Sequence, residues 1–443
     1  MPGGLRRELS ALFRLALPLA AAQAGTQLMS LVDVAVLGRV GARELAASAL
    51  ANSVFFAFSV MGMGMVFGVD PLIAQAVGAG DRARARHVMW QGIWLSLIVS
   101  AVLTVILLAG AAALPLVGTE PNLVAPARLY LLIRILGVVP FLMFFVVRSY
   151  LQAHGVTKPM LAAMVIANVI NLVGDIALVY GVRGVIPAMG VAGAAIPTVI
   201  CTFLQLAIVA GAALRVEVEG HVDHRFDRAM VAQAARVGAP VALHMGAEVG
   251  VFALVALLAG RIGTLQLAAH NLVIGLASFT FTVALGVAAA GSVRVGNAIG
   301  ARDANATRSA GHAAFIAGAI VMGCSALAFA LFPRAIARLI TDQENVVKAA
   351  IPLMIVAAVF QLSDGIQAVG AGVLRGAADT KYTFWANFAG HWLIGLPLAL
   401  WLGFAQDMGV VGLWWGLCAG LTIVAVLLVV RFERTSRDVI APL

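Results

Sequence analysis

Apolar runs of about 20 residues, the length needed to cross a lipid bilayer as a helix, fill this chain almost from end to end. Inside lipid the backbone N–H and C=O groups must bond within their own segment, so each run is read as a helix. Composition agrees. Hydrophobic residues make up 62% and charged residues 11%, where soluble proteins carry about 25% charged residues. Mean hydropathy is +1.01. No long polar stretch marks a separate water-soluble domain. The net charge of +9 would suit a nucleic-acid binder, but the arginines sit in short breaks between apolar runs, without interleaved aromatics. No nucleic-acid partner is expected. Cys201, Cys324 and Cys418 lie far apart in apolar segments. That spacing fits buried packing and gives neither a metal site nor a disulfide framework. Arg6 and Arg7 before an apolar run could open a signal peptide. The run from Leu15 to Gly38 is too long for one and contains Asp33, so it reads as a first membrane helix.

The breaks predict twelve transmembrane helices, at 10–37, 46–76, 88–112, 123–147, 159–181, 188–212, 232–259, 267–293, 310–333, 346–373, 382–403 and 409–430. Threaded through that topology, 20 of the 29 Lys and Arg fall on one side, including Arg6, Arg7, Arg82, Arg84, Arg86, Arg225, Arg228 and Arg434. The other side receives 8, among them Arg39, Arg183 and Arg334. Arg134 is left within helix 4. The positive-rich side is expected to be cytoplasmic. A multi-pass protein of a bacterial inner membrane, with both termini inside, follows as the expectation.

The chain is also a doubled sequence. GRVGARELAA at 38–47 stands against GRIGTLQLAA at 260–269, an offset of 222 that runs without a gap. Pro18 pairs with Pro240, Gly64 with Gly286, and AVGAGD at 76–81 with AIGARD at 298–303. LQAHGVTK at 151–158 pairs with LRGAADTK at 374–381, now offset by 223. The predicted fold is therefore all-α: two six-helix bundles related by a pseudo-twofold along the membrane normal. The N-terminal bundle is placed at 1–212, a charged cytoplasmic linker at 213–231, and the C-terminal bundle at 232–443. Transporters with parallel repeats carry substrate between the halves and rock one against the other. Pro18 and Pro240, inside the leading helix of each half, fit either matched hinges or simple packing. Gly62 and Gly64 suggest close helix contact.

Ionisable residues inside membrane helices are costly and are functional candidates by default. Asp33 lies near the outer end of helix 1 and Asp175 near the outer end of helix 5. Glu248 is central in helix 7, and Asp364 lies in helix 10. The repeat mirrors none of the four. Asp33 stands opposite Val255 and Glu248 opposite Thr26, so the doubled scaffold does not account for them. Asn168, Asn171 and Asp175 share one helix face and could bind a small cation or relay a proton. Gln361, Asp364 and Gln367 form a looser polar set. The alternative for these amides is structural bonding between helices. Acids outnumber Lys and Arg at depth, so cations are the expected guests. Two carboxylates close together in low dielectric cannot both ionise cheaply. Competition between an organic cation and a proton or metal ion for Glu248 and Asp364 would then produce antiport. Asp70, before Pro71, could be a gate or a helix cap. Phe55, Phe56, Phe58, Phe279 and Phe281 could stack on an aromatic cation or pack against neighbours and lipid. His244, His270 and His391 are isolated in sequence and fit packing roles.

LVDVAVLGRVGARELAA, VGNAIGARD and LQAHGVTKP leading into NLVGDIALVYG resemble signatures of the multidrug and toxic compound extrusion (MATE) family. QLSDGIQAVGAGVLRGAADT at 361–380 resembles the helix 10 signature of its NorM-like branch. The resemblance spans nearly the whole chain. It implies two bundles around an outward-open cavity and antiport of organic cations against sodium ions or protons, with no other cofactor. It implies coupling carboxylates at Asp33, Glu248 and Asp364, and polar partners at Asn171 and Asp175. Sodium, if used, would sit at Glu248 and Asp364. Phe360 stands where some sodium-coupled relatives carry a tyrosine, which departs from that pattern. Organic cations and membrane lipids are the implied partners, and a monomer is expected. A flippase of lipid-linked intermediates would need several deep basic residues, where only Arg134 is present. An enzyme would need a clustered catalytic set, and no Ser/His/Asp, HExxH or Cys-based set appears.

Overall fold

The computed structural model describes all residues except Met1, Gly118, Thr119 and His221, and all their side chains except those of residues 2–5 and Val117. Among the described residues the helices are α1 (Pro2–Val40), α2 (Ala42–Val66), α3 (Val69–Gly78), α4 (Arg82–Ala113), α5 (Pro121–Ile135) and α6 (Val138–Ala153). They continue as α7 (Lys158–Val179), α8 (Val191–Leu214), α9 (Arg228–Ile262), α10 (Thr264–Gly300) and α11 (Ala304–Leu331). The last are α12 (Pro333–Arg338), α13 (Glu344–Gly376), α14 (Thr380–Phe388), α15 (Leu396–Leu400) and α16 (Gly409–Thr435). No strand forms among the described residues, only an isolated bridge between Val182 and Ile186. Among the described residues eleven spans are long and apolar enough to cross a bilayer, and the bent pair α5–α6, taken as one span, makes a twelfth. The expected all-α membrane fold is present.

Three predicted helices are not regular, and proline explains each. A proline ring crowds the carbonyl four residues earlier and offers that carbonyl no N–H. Pro71 does this to Phe67, where α2 gives way to α3. Pro140 does it to Leu136, where α5 and α6 meet at a 43° bend. Pro397 does it to Leu393, inside a π-helical stretch at Ala389–Gly395. That stretch joins α14 to α15, and a second at Trp401–Ala405 extends α15 to the end of the same span. By contrast α1 and α9 continue helical through Pro18 and Pro240.

The doubling is visible in the backbone. The Asp81 N–H bonds the Ala76 carbonyl and the Gly80 N–H bonds that of Val77. The pattern recurs at Asp303 to Ala298 and Arg302 to Ile299. Both are helix ends closed by a left-handed residue, Gly80 at φ 79 and Arg302 at φ 57. Asp81 and Asp303 then cap α4 and α11, accepting from Arg84 N at 2.8 Å and Ala306 N at 2.9 Å. The other repeat, at offset 223, reappears at Gly155 (φ 72) and Ala378 (φ 60).

By contacts the chain forms two compact units, residues 1–20 with 243–443, and residues 21–242. In the first, a Cβ on Gly286 of α10 would meet the Ala20 backbone at 2.7 Å. In the second, a Cβ on Gly64 of α2 would meet that of Ala242 at 2.6 Å. Gly64 and Gly286 are repeat mates, and so are Ala20 and Ala242. The doubled sequence therefore makes the same glycine-on-backbone contact twice, the close approach that small residues permit in membranes.

The segment before α9 is strapped to α4. Gln91 clamps it with both ends of its amide, donating to the Arg225 carbonyl and accepting from the Asp227 N–H, each at 2.8 Å. Trp94 Nε1 donates to the His224 carbonyl at 3.0 Å. Asp227 caps α9, and the backbone N–H groups of Met230 and Ala229 hold its carboxyl below the usual carboxylate range. Many large apolar side chains remain exposed, including Val105, Leu257, Leu327 and Trp385. Such a surface would aggregate in water and belongs against lipid tails. Cys201 and Cys418 are buried as expected, whereas Cys324 is exposed.

Candidate functional site

Each unit holds its own acid cluster, with one carboxyl buried (Asp175, Asp364) and one half-buried (Asp33, Glu248). In the unit 21–242, α1 contributes Asp33, α7 contributes Asn171 and Asp175, and α8 contributes Thr198. One helical turn separates Asn171 from Asp175, so both project from one face, and both are fully buried. Asn171 Nδ2 donates to Asp175 Oδ1 and to Thr198 Oγ1, each at 3.5 Å. Thr198 Oγ1 lies 3.4 Å from Asp33 Oδ2. The Asp33 and Asp175 carboxyls are within hydrogen-bonding reach of each other. Asp33 Oδ1, Asp175 Oδ2 and Asn171 Oδ1 are buried oxygens with no partner among the described residues. Two carboxyls this close among apolar helices repel unless a proton or another cation lies between them. The lone oxygens face that requirement.

Arg134, on α5, acts on Asp33 through its field only. Its guanidinium lies over the Phe55 ring, 4.4 Å from the centroid. Asn168, expected on the same face as Asn171, instead donates to the Gly25 carbonyl at 3.1 Å and ties α7 to α1. Asp70 accepts from Ser149 Oγ at 2.5 Å, joining α3 to α6. Phe56 and Phe279 are exposed.

In the unit containing 243–443 the cluster has different chemistry. Glu248 on α9 meets His244, one turn earlier, with 3.1 Å between Oε2 and Nε2. Gln367 on α13 lies 3.4 Å from the same His244 nitrogen and donates to Asn387 Oδ1 at 2.8 Å. His391 Nδ1 bonds the Asn387 carbonyl at 3.0 Å. Asp364 is buried on α13 within electrostatic reach of Glu248 and makes no hydrogen bond among the described residues. Phe360 is buried between Phe252 and Trp414, with ring centroids 6.1 and 5.4 Å away. Gln361, expected beside Asp364, joins Thr280 and Ser325 in a separate knot at 2.7 and 3.0 Å. His270 accepts from Trp414 Nε1 at 3.1 Å, a packing role.

Four further residues join the clusters: His244 and His391, which the sequence suggests as packing histidines, and Thr198 and Asn387. His244 carried a usable signal, its i, i+4 spacing to Glu248 on one helix face. Thr198, Asn387 and His391 carried none, because each reaches its cluster from another helix.

The MatE family model matches residues 18–177 and again 240–401, once in each repeat. The chain belongs to the MatE family. Like other members, it is a multi-pass membrane transporter and not an enzyme. A "Probable multidrug resistance protein NorM" of Agrobacterium fabrum is 36% identical, over 94% of this chain and 92% of the relative. A protein of the same description from Bradyrhizobium diazoefficiens is 34% identical over 96% and 93%. Among solved structures, a mutant of the Vibrio cholerae MATE transporter VcmN superposes with a TM-score of 0.90 at 20% identity, covering 98% of both chains. The eukaryotic MATE transporter AtDTX14 superposes at 0.85 with 21% identity, again covering 98% of both. At those identities the structural likeness speaks for the MatE fold.

Proposed function

We propose that this MatE protein exports bulky organic cations from a bacterial cell by antiport against protons or sodium ions. It would act as a monomer in the inner membrane with both termini in the cytoplasm. The observation that carries the proposal is the pair of carboxylate clusters inside the helices, half-buried Asp33 with buried Asp175 and half-buried Glu248 with buried Asp364, one in each unit and neither closed by a Lys or Arg ion pair among the described residues. A buried carboxylate without a fixed countercharge must take up a proton or a mobile cation. An ion and a cationic substrate that both require the same carboxylates exclude one another, and that competition is the exchange. The curated relatives are described as multidrug resistance proteins, which supports a broad substrate range. A cluster that recognised a pyrophosphate-linked lipid would need several bases, and among the described residues Arg134 is the one base acting on Asp33. Purified protein in liposomes, given an outward-directed ethidium load and driven in turn by a pH gradient and a sodium gradient, tests the proposal. Gradient-driven ethidium movement is expected with at least one of the two ions. No movement under either gradient would refute cation antiport.

A further inference from the structure

Around Glu248 the neighbouring polar groups turn hydrogens toward the acid. Asn387 Nδ2 donates to the Thr383 carbonyl at 2.9 Å, so the other arm of that amide, Oδ1, faces α13. Gln367 must therefore turn its Nε2 toward Asn387, at 2.8 Å. The same Nε2 faces His244 Nε2 at 3.4 Å and is within hydrogen-bonding reach of Glu248. The amide oxygen of Gln367 is left on the far arm, buried and without a partner. His244 Nε2 then stands 3.1 Å from the carboxylate, in the position of a donor. Phe360 adds an apolar ring and no oxygen. The other titratable groups acting at this place are Asp364 and His391.

A hard cation such as sodium is held by oxygen lone pairs. N–H groups present positive hydrogen in the same place and raise the energy of a metal ion beside the acid. At the Asp33 cluster the groups beside the acid are oxygens, the Asp175 carboxyl and the Thr198 hydroxyl, with Asp33 Oδ1 and Asp175 Oδ2 unpartnered, and the Asn171 N–H is turned on Asp175 and Thr198.

We propose that His244, with Gln367 oriented behind it, makes the C-terminal acid site of this chain reject sodium, because an imidazole nitrogen holds the position beside Glu248 that the ion would need. This deepens the antiport function and rests on it only in taking Glu248 as an ion-exchanging group. His244 is thus a specificity-determining residue for the exchanged ion.

The test is equilibrium binding of radiolabelled sodium to purified full-length protein, with potassium holding the ionic strength constant. Asp33→Asn removes the oxygen-rich site and leaves the C-terminal one to be read alone. That variant is expected to show no saturable sodium binding. Asp33→Asn combined with His244→Ser, which opens space and offers a hydroxyl oxygen, is expected to bind sodium at least about tenfold more tightly, a factor worth about 1.4 kcal/mol. A thermal unfolding transition and a monodisperse size-exclusion profile matching the wild type show that each variant is folded. Saturable sodium binding in Asp33→Asn that disappears on adding Glu248→Gln would overturn the proposal, and needs no His244 variant. A folded double variant that gains no sodium binding would equally overturn the role of His244. Neither outcome bears on whether the wild type moves ethidium down its ion gradients, so the two proposals fail separately.

Discussion

The two acid clusters sit on repeat-related scaffolds and solve the same problem with different chemistry. In the unit 21–242 an acid faces an acid: Asp33 on α1 reaches Asp175 on α7, Thr198 adds a hydroxyl oxygen beside Asp33, and Asn171 donates its amide N–H to Asp175. In the other unit an acid faces nitrogen: Glu248 meets His244 and, beyond it, the Gln367 amide. Sequence doubling placed glycine contacts, helix caps and left-handed helix ends at matched positions in both halves. It did not place the carboxylates, since Asp33 has Val255 as its mate and Glu248 has Thr26. The scaffold was therefore duplicated and the ionisable groups were set into each copy separately. A twofold-related fold need not give two equivalent sites, and the oxygen-lined site is the better host for a bare cation.

The largest effects should come from removing the acid each cluster is built on. Asp33→Asn and Glu248→Gln are each expected to abolish gradient-driven ethidium efflux while membrane expression, followed by immunoblot, stays intact. Drug resistance at the wild-type level in either variant would break the comparison, because one cluster would then be dispensable. Next in size, Asp175→Asn converts the acid–acid pair into an acid held by a permanent donor. Coupling between two ligands is commonly worth about 1–3 kcal/mol, or about 5- to 150-fold. Efflux is expected to fall at least about tenfold by that measure, with the Glu248 cluster untouched. Unchanged efflux would show that Asp33 works without its partner.

Smaller and more selective effects belong to the neutral supports. Thr198→Val removes the hydroxyl beside Asp33, and Asn387→Leu frees the Gln367 amide to turn. A hydrogen bond between membrane helices is worth about 0.6 kcal/mol on average, so each should change ethidium affinity only a few-fold by fluorescence titration. Thr198→Val should do so through Asp33 and Asn387→Leu through Glu248. Combining each with the acid variant of its own cluster should add nothing further. Additive losses would mean that these side chains act outside their clusters. The smallest effect is expected from Arg225→Gln and Arg228→Gln. Gln91 grips this segment through the backbone of Arg225 and Asp227, so neutralising the side chains should leave transport unchanged. Gln91→Ala, by contrast, loosens the strap. A large loss of transport in correctly inserted Arg225→Gln would show that the side chain itself is used.

Much of this was legible in the chain alone. Apolar runs of membrane-spanning length required helices, because lipid offers the backbone no other partners. The offset of 222 residues announced the repeat, and Asp33, Asp175, Glu248 and Asp364 stood out because a carboxylate in an apolar run is costly. The breaks at Phe67 and Leu136 were not evident, because Pro71 and Pro140 interrupt helices expected to run through 46–76 and 123–147 while Pro18 and Pro240 leave theirs continuous. The partners of the acids were not legible. Asn168 and Asn171 differ by three residues on one helix face, yet one ties α7 to the Gly25 carbonyl and the other joins the acid cluster. Gln361 and Gln367 likewise separate into a distant knot and the Glu248 site. A one-dimensional pattern states which residues share a helix face. It does not state which neighbouring helix that face meets, and a buried polar group is defined by what lies across from it. Sequence by itself determined a doubled, all-helical membrane scaffold and the acids set into it. Tertiary packing alone decided that one acid faces oxygen and the other nitrogen, because Thr198, Asn387 and Gln367 arrive from separate helices at distances and orientations that no spacing along the chain encodes.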